Sequence, residues 1–319
     1  MTDWRPCSGP EAAASRAALL RRIREYFARH KVLEVDTPTL GTAAVSDVQI
    51  ESLEVGRSQV SNVPLFLHTS PEFPMKRLLA AGYPDIYSIC RVFRDGEAGR
   101  RHQPEFTMVE WYRHDMGLEQ IVDDTTALIA AALADTAPTG TPAKFAYRDL
   151  FRDATGVDPL DADTGALAAL ADQELRDTIG GEPDDWLDWL FATIVAPGLA
   201  KDRLTVVRHY PASQAALARL SPDDARVADR FEVFFGDVEL ANGYVELTDA
   251  AEQRQRVEAD VRERKRRGRA VRPIDESLLA ALEAGLPQCA GVAMGLERLQ
   301  MVHDNTDDIR DVVTFASPL

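Results

Sequence analysis

Hydrophobic and polar positions recur with two periods along this chain. Residues 11–30, EAAASRAALLRRIREYFARH, set Leu19, Ile23, Tyr26 and Phe27 at three- and four-residue spacing, which predicts an amphipathic helix. The short apolar stretch VLEV follows, and Thr37-Pro38 ends it because proline cannot donate to a ladder. LFLHTS (65–70) reads as a strand that feeds Ser70-Pro71-Glu72. There serine caps, proline fits the first turn, and glutamate favours the positive end of a helix closing at Gly82. DIYSICRVFR and FTMVEWYR read as two strands joined by a loop from Asp95 to about Glu105. Residues 119–135 read as a surface helix and 161–203 as an acidic, mostly helical insertion. Strands resume at Arg230 in RFEVFFGDVELANGYVEL, and a helix runs from about Asp249 to Arg269. A last strand, a glycine-punctuated turn and a helix, GVAMGLERLQMV, end the chain. Strands paired by hairpins, with helices in blocks between them, predict an α+β fold: an antiparallel sheet flanked by helices in a single domain, 1–319.

Composition narrows the function classes. Hydrophobic content of 45% with 28% charged residues suits a globular protein with a sizeable core. No apolar run reaches membrane-spanning length and the N-terminus carries no basic-then-apolar signal, so a cytoplasmic protein without membrane contact is expected. Cys7, Cys90 and Cys289 lie far apart, which predicts reduced thiols rather than a zinc site or disulfides. A net charge of −16 opposes broad nucleic-acid binding, which depends on lysines and arginines neutralising phosphates. The one basic run, ERKRRGRAVR (263–272), reads as a solvated helix end.

Three stretches carry candidate chemistry. Along FTMVEWYR, alternation puts Phe106, Met108, Glu110 and Tyr112 on one face. A carboxylate among aromatics there needs a cation, from the protein or from a ligand. Arg94 closes the outgoing strand and His102 sits in the loop. Their donors suit phosphate oxygens, and Phe106 offers a flat surface to a base. In the second stretch, a two-residue turn at Gly236-Asp237 sets Phe235 opposite Val238 and Phe234 opposite Glu239, so Glu232 and Glu239 converge on one side. Magnesium, which takes one or two carboxylates plus phosphate oxygens, suits that pair. Glu246 reaches the same face if Gly243 makes a bulge. In the third, GVAMGLER (291–298), glycines permit close backbone approach and Arg298 falls in the first turn of a helix, a combination that favours phosphate. The sum fits ATP with a cationic substrate.

These stretches resemble the class II aminoacyl-tRNA synthetases of the lysyl subgroup. Helix 11–30 with VLEVDTP resembles that family's first motif, FRDGEAGRRHQPEFTMVEWY its second and GVAMGLERL its third, while ELANGYVELTDA adds specificity. The first motif begins within the first few dozen residues, so the family's anticodon-binding barrel is not expected ahead of it. The chain therefore most resembles the branch whose members attach β-lysine to elongation factor P, and PASQAALARL (211–220) resembles it too. The resemblance implies activation of lysine or (R)-β-lysine with ATP and Mg2+, elongation factor P as acceptor, no stable tRNA binding and a homodimer.

Carried over by position, Arg94 would hold the α-phosphate and the reacting carboxylate, and His102 and Arg298 the outer phosphates. Phe106 and Arg298 would sandwich adenine; Asp95, Gly96, Glu97, Gln103, Leu240 and Gly295 would add nucleotide contacts. Glu232 and Glu239 would hold magnesium, with Glu239 also at the nucleotide. Ser70, Glu72, Glu110, Tyr112, Asn242, Glu246 and Ala293 would form the amino-acid pocket. The chain departs from the family pattern at Glu97, one residue later than the usual Arg-x-Glu, and at Ala293, where lysyl enzymes have glycine. A minimal lysyl-tRNA synthetase and a non-catalytic paralogue are the alternatives. Loss of Arg94, Glu239 or Arg298 would mark the second, and all three are present.

Overall fold

The computed structural model describes residues 4–317 apart from positions 57, 60, 139, 177, 178 and 180. Helix α1 (Pro10–Arg29) has proline in its first turn, where no N–H is needed, and Glu11 at its positive end. Its stripe Leu19, Ile23, Tyr26 and Phe27 is buried, as the spacing predicts. Three short strands, β1 (Leu33–Glu34), β2 (Leu40–Gly41) and β3 (Glu54–Val55), precede β4 (Leu65–Leu67) and α2 (Glu72–Ala80). Ser70 Oγ accepts the Glu72 N–H at 3.2 Å and so helps start α2. A long hairpin follows, β5 (Ile86–Phe93) and β6 (Glu105–His114), then α3 (Leu118–Leu133). The last segment is a surface helix with one buried face: Ile121, Val122, Leu128, Ile129, Ala132 and Leu133 are buried, while Glu119, Gln120, Asp123 and Ala127 are exposed. Next come β7 (Ala143–Ala146), α4 (Tyr147–Thr155), α5 (Thr164–Ala168), α6 (Gln173–Arg176), α7 (Pro183–Leu190) and β8 (Leu204–Arg208). The chain ends with β9 (Arg230–Phe235), β10 (Val238–Val245), α8 (Ala250–Arg266), α9 (Glu276–Gly285), β11 (Cys289–Gly295) and α10 (Leu296–His303).

Contacts divide the chain into two compact units. The first comprises Met1–Met116, Ala127–Ala137 and Thr248–Leu319. In it β5, β6 and β11 run antiparallel in succession, and β1 adds to β5 as a parallel edge. The Phe27 ring stacks on Tyr87 at 4.1 Å and meets Trp111 at 5.7 Å, so α1 covers the Trp111 face of the sheet. Tyr112, which points the other way, packs with Met75, Leu79, Leu278 and Leu282 of α2 and α9. A small second sheet pairs β4 with β2 and β3.

The basic run is only in part a solvated helix end: Lys265 and Arg266 are exposed, but other members turn inward. Arg264 is buried, with only 1% of its side chain exposed. Arg269 donates to the Val48 carbonyl, and Arg272 pairs with Glu54 at 2.6 Å. Segment 47–54 has almost no ladder of its own, so its carbonyls take side-chain donors instead.

The second unit comprises Gly117–Thr126 and Pro138–Leu247. Here β8, β9 and β10 run antiparallel and β7 joins β8 in parallel. Its core holds Tyr147, Phe151, Trp186, Leu190, Phe191 and Phe234. The Tyr147 and Phe191 rings stack at 5.1 Å. Within the acidic stretch 161–203, α5 to α7 turn their apolar residues into this core, and three of its positions lie outside the described residues. Both units have the α+β character expected, with mostly antiparallel pairing. Among the described residues no helix is long and apolar enough to cross a membrane, and the three cysteines are unbridged.

Candidate active site

In the first unit, the β5–β6 hairpin sets most of the candidate nucleotide residues. Ladder pairing runs out to Phe93 and Glu105, and the Arg94 N–H then closes the loop on the Pro104 carbonyl at 2.9 Å. A smaller closure inside the loop, Gly99 with His102 through reciprocal backbone bonds of 3.1 and 3.3 Å, presents the His102 ring. Asp95 and Gly96 start the loop, and Gly96 takes a positive φ of 79° that suits glycine. The Arg94 guanidinium lies over the Phe106 ring at 5.2 Å and pairs with Glu97 at 3.4 Å. Glu97 thus approaches Arg94 despite its shifted place in the motif. The Gln103 side chain accepts the Ser317 N–H at 2.7 Å.

Helix α10 explains the direction of Arg298. Gly295 caps it, and Glu297, 2% exposed, turns inward to accept the Thr107 N–H at 2.9 Å and to pair with Arg16 at 3.1 Å. This anchor, which the sequence reading did not single out, leaves Arg298 one position on, donating to His102 Nε2 at 2.6 Å.

On the Phe106 face of the same sheet, Glu110 is buried and its Oε1 accepts the Tyr112 hydroxyl at 2.7 Å. Register sets Glu110 opposite Ser88 on one side and Ala293 on the other, so both neighbours leave room beside the carboxylate. Ser88, itself buried, belongs to this wall, although no local pattern singles it out. Burial, reinforced by the nearby Glu110 charge, pushes the Cys90 thiol up to about 12. Glu72 lies one residue beyond Pro71 and pairs with the buried Lys76 at 2.7 Å. Their i,i+4 spacing on α2 was visible in the sequence, yet only the fold buries the lysine.

In the second unit the turn forms as expected. Gly236 takes φ 56°, Phe235 faces Val238, and Phe234 faces Glu239. The bulge, however, falls at Leu240 and not at Gly243: the register shifts between Glu239 and Ala241. Leu240 is buried, so the extra residue is stabilised by packing where glycine would offer only conformational freedom. The consequence is the one Glu246 required. Asn242 now stands opposite Glu232 and Tyr244 opposite Arg230, which returns the even-numbered positions to the Glu239 face. Glu246, buried, continues that alternation and bridges to Ala218.

Glu232 is held by residues the sequence reading passed over. Arg230 donates to its Oε1 at 2.7 Å and the Tyr210 hydroxyl to its Oε2 at 2.6 Å. Arg230 also stacks on the Tyr210 ring at 4.6 Å and donates to Asn242 Oδ1 at 3.2 Å and to the Gln214 carbonyl at 2.7 Å. Burial and then repulsion from Glu239 raise the Glu232 carboxyl to about 7, and Arg230 opposes them. A pair of carboxylates that repel in this way suits a divalent cation completed by phosphate oxygens. Among the described residues no cluster of three or more acidic, histidine or cysteine ligands forms a self-sufficient metal cage.

Comparison with known proteins places the chain among relatives. A family model described as tRNA synthetases class II (D, K and N) matches residues 3–318. A protein of Sodalis glossinidius is 43% identical over 321 residues, which cover 98% of this chain and 97% of that one. One of Mannheimia succiniciproducens is 44% identical over 316 residues, again with 98% and 97% coverage. One of Edwardsiella ictaluri is 44% identical over 323 residues, with 99% and 98% coverage. All three bear the name elongation factor P–(R)-β-lysine ligase.

Proposed function

This chain belongs to the class II tRNA synthetases (D, K and N), and from that premise we propose that it is a ligase joining (R)-β-lysine to elongation factor P at the expense of ATP. The observation that carries the reading is the match at 43–44% identity, over nearly the whole of both chains, to proteins of that name. Two steps follow. A carboxylate oxygen of the amino acid attacks the α-phosphorus of ATP, and the bond to pyrophosphate breaks to leave an aminoacyl-adenylate. An amine of the acceptor then attacks the adenylate's carbonyl carbon and AMP departs.

The residues divide the work by charge. Arg94, with its planar fork steadied by Glu97 and the Phe106 ring, would orient the α-phosphate and the attacking carboxylate. His102 and Arg298, already joined to each other, would meet the outer phosphates, and Phe106 would stack on adenine. Asp95, Gly96, Gln103, Leu240 and Gly295 would add contacts to the nucleotide. Glu232 and Glu239 would hold Mg2+, which when bound offsets negative charge on phosphate oxygens. Ser70, Glu72, Glu110, Tyr112, Asn242 and Glu246 would line the amino-acid pocket, with carboxylates meeting its ammonium groups. The methyl of Ala293 lies opposite Glu110 and would disfavour α-lysine relative to (R)-β-lysine by about 1–3 kcal/mol.

A protein acceptor in place of tRNA is supported by the net charge of −16, since phosphate binding favours a basic surface. Half-exposed Leu33 and Leu40, in the segment after α1, support a homodimer built on that region. The test is ATP–pyrophosphate exchange without tRNA, comparing (R)-β-lysine with α-lysine, followed by transfer of labelled amino acid to purified elongation factor P or to tRNA. Stronger exchange with (R)-β-lysine and label on the protein are expected. Label on tRNA alone would select a minimal lysyl-tRNA synthetase, and no exchange with any amino acid would refute a catalytic role.

A further inference from the structure

The buried guanidinium of Arg264 has no part in the chemistry above, yet it is among the largest fully buried side chains. It sits in the last turn of α8 and spreads its donors over a segment more than 200 residues away. Nη1 donates to the carbonyls of Asp47 and Ile50 at 2.7 and 3.2 Å, and Nη2 to Glu51 Oε1 at 2.5 Å. Nε donates to the Ala270 carbonyl at 2.9 Å, just beyond the helix. This is a planar fork matched to acceptors in fixed directions, a pattern that lysine's single ammonium cannot reproduce.

The segment so held touches the nucleotide residues. The Glu51 carbonyl accepts the Asp95 N–H at 2.9 Å, at the first position after Arg94. Two residues on, the Leu53 carbonyl accepts the Leu67 N–H at 3.0 Å at the end of β4, which leads to Ser70. Segment 47–51 belongs to no strand, so its placement depends on side-chain donors rather than on a ladder. Moving it would carry the Asp95 N–H with it and turn the loop that presents Arg94, Glu97 and His102.

We propose that Arg264 is a positioning residue for nucleotide binding, acting through segment 47–51 and the Glu51 carbonyl on the loop that begins at Asp95. The proposal rests on the reading of Arg94 and its loop as the ATP site. Arg264→Lys keeps the charge and loses the fork. Glu51→Ala removes one acceptor, leaves the Glu51 carbonyl in place and is the milder change.

The experiment measures ATP affinity by calorimetry and the separate KM values for ATP and amino acid in pyrophosphate exchange, on full-length wild type, Arg264→Lys, Glu51→Ala and Arg94→Ala. The melting temperature of each is recorded. The expected result for Arg264→Lys is a loss of ATP affinity of about 10- to 100-fold, the scale of an ångström-sized misplacement. The amino-acid KM should rise by clearly less than the ATP KM, since Arg94 also meets the reacting carboxylate, and Glu51→Ala should shift the same way by less. Loss of structure alone would lower the amplitude of exchange and leave both KM values unchanged, which overturns the proposal. Wild-type ATP affinity in folded Arg264→Lys overturns it too. If that variant does not fold, wild-type affinity in Glu51→Ala does so. Unchanged ATP affinity in Arg94→Ala would refute the role given to Arg94 and, with it, the link drawn here. Wild type that binds ATP but exchanges with no amino acid would sink the functional reading while leaving the loop effect measurable.

Discussion

Replacing Glu110 by glutamine removes one negative charge at nearly constant shape, at a position where the surroundings are known in detail. The wild-type carboxylate is buried, accepts the Tyr112 hydroxyl at 2.7 Å and faces Ser88 and Ala293 across the two neighbouring strands. Glutamine can still accept from Tyr112, so that bond survives and the fold should melt no lower than wild type. What disappears is the charge available to a substrate ammonium. A hydrogen bond to a charged group contributes about 1.5–3 kcal/mol, and at about 1.4 kcal/mol per decade this is a rise of roughly 10- to 150-fold in the amino-acid KM. The assay is pyrophosphate exchange at saturating ATP with the amino acid varied. Tyr112→Phe serves as control, because it spares the charge and removes only a hydroxyl donor worth about 0.5–1.5 kcal/mol. The double variant then gives the coupling between the two. A Glu110→Gln enzyme whose amino-acid KM stays within twofold of wild type would refute the assignment of Glu110 to the ammonium.

Three other expectations follow from the same geometry. Burial raises the Asp260 carboxyl to about 6, with Ser46 donating to it at 2.9 Å. A carboxyl raised above its unfolded value makes the native state lose stability as pH climbs from about 4 to about 6. Asp260→Asn should therefore match wild type near pH 4 in urea unfolding and exceed it by about 1–2 kcal/mol above pH 6.5, discounted for partial exposure; equal stability at both pH values would contradict this. Arg230→Met leaves Glu232, whose side chain is only 12% exposed, without its cation and should cost up to about 3–5 kcal/mol in the same assay at pH 8, and a loss below about 1 kcal/mol would show the pair to be dispensable. Ala293→Gly should shift the exchange preference toward α-lysine by about 10- to 200-fold, read as the ratio of kcat/KM for the two amino acids, whereas an unmoved ratio would discard the methyl as a discriminator.

Local patterns were legible because local chemistry creates them. The 3.6-residue spacing of Leu19, Ile23, Tyr26 and Phe27 suffices for α1 and its buried stripe. Alternation along FTMVEWYR anticipates that Trp111 and Tyr112 meet different layers, and the Gly236-Asp237 turn fixes the facing pairs beside it. Motif spacing was enough to point to the family, since Arg94, His102 and Arg298 fall where strand end, loop and helix start put them.

The tertiary structure decided what depends on partners distant in sequence. Chain pattern alone allowed a bulge at Gly243, but packing of Leu240 sets it three residues earlier while preserving the face of Glu246. Lys76, Arg230 and Tyr210 read as ordinary residues until the fold sets them, Lys76 and Tyr210 buried and Arg230 partly so, against Glu72 and Glu232. The basic run at 263–272 shows the limit most plainly. Periodicity and charge predict solvent for Arg264, because nothing local distinguishes an arginine that hydrates from one that meets carbonyls 214 and 217 positions away. Helix and strand are properties of neighbours along the chain; the satisfaction of a buried charge is a property of neighbours in space.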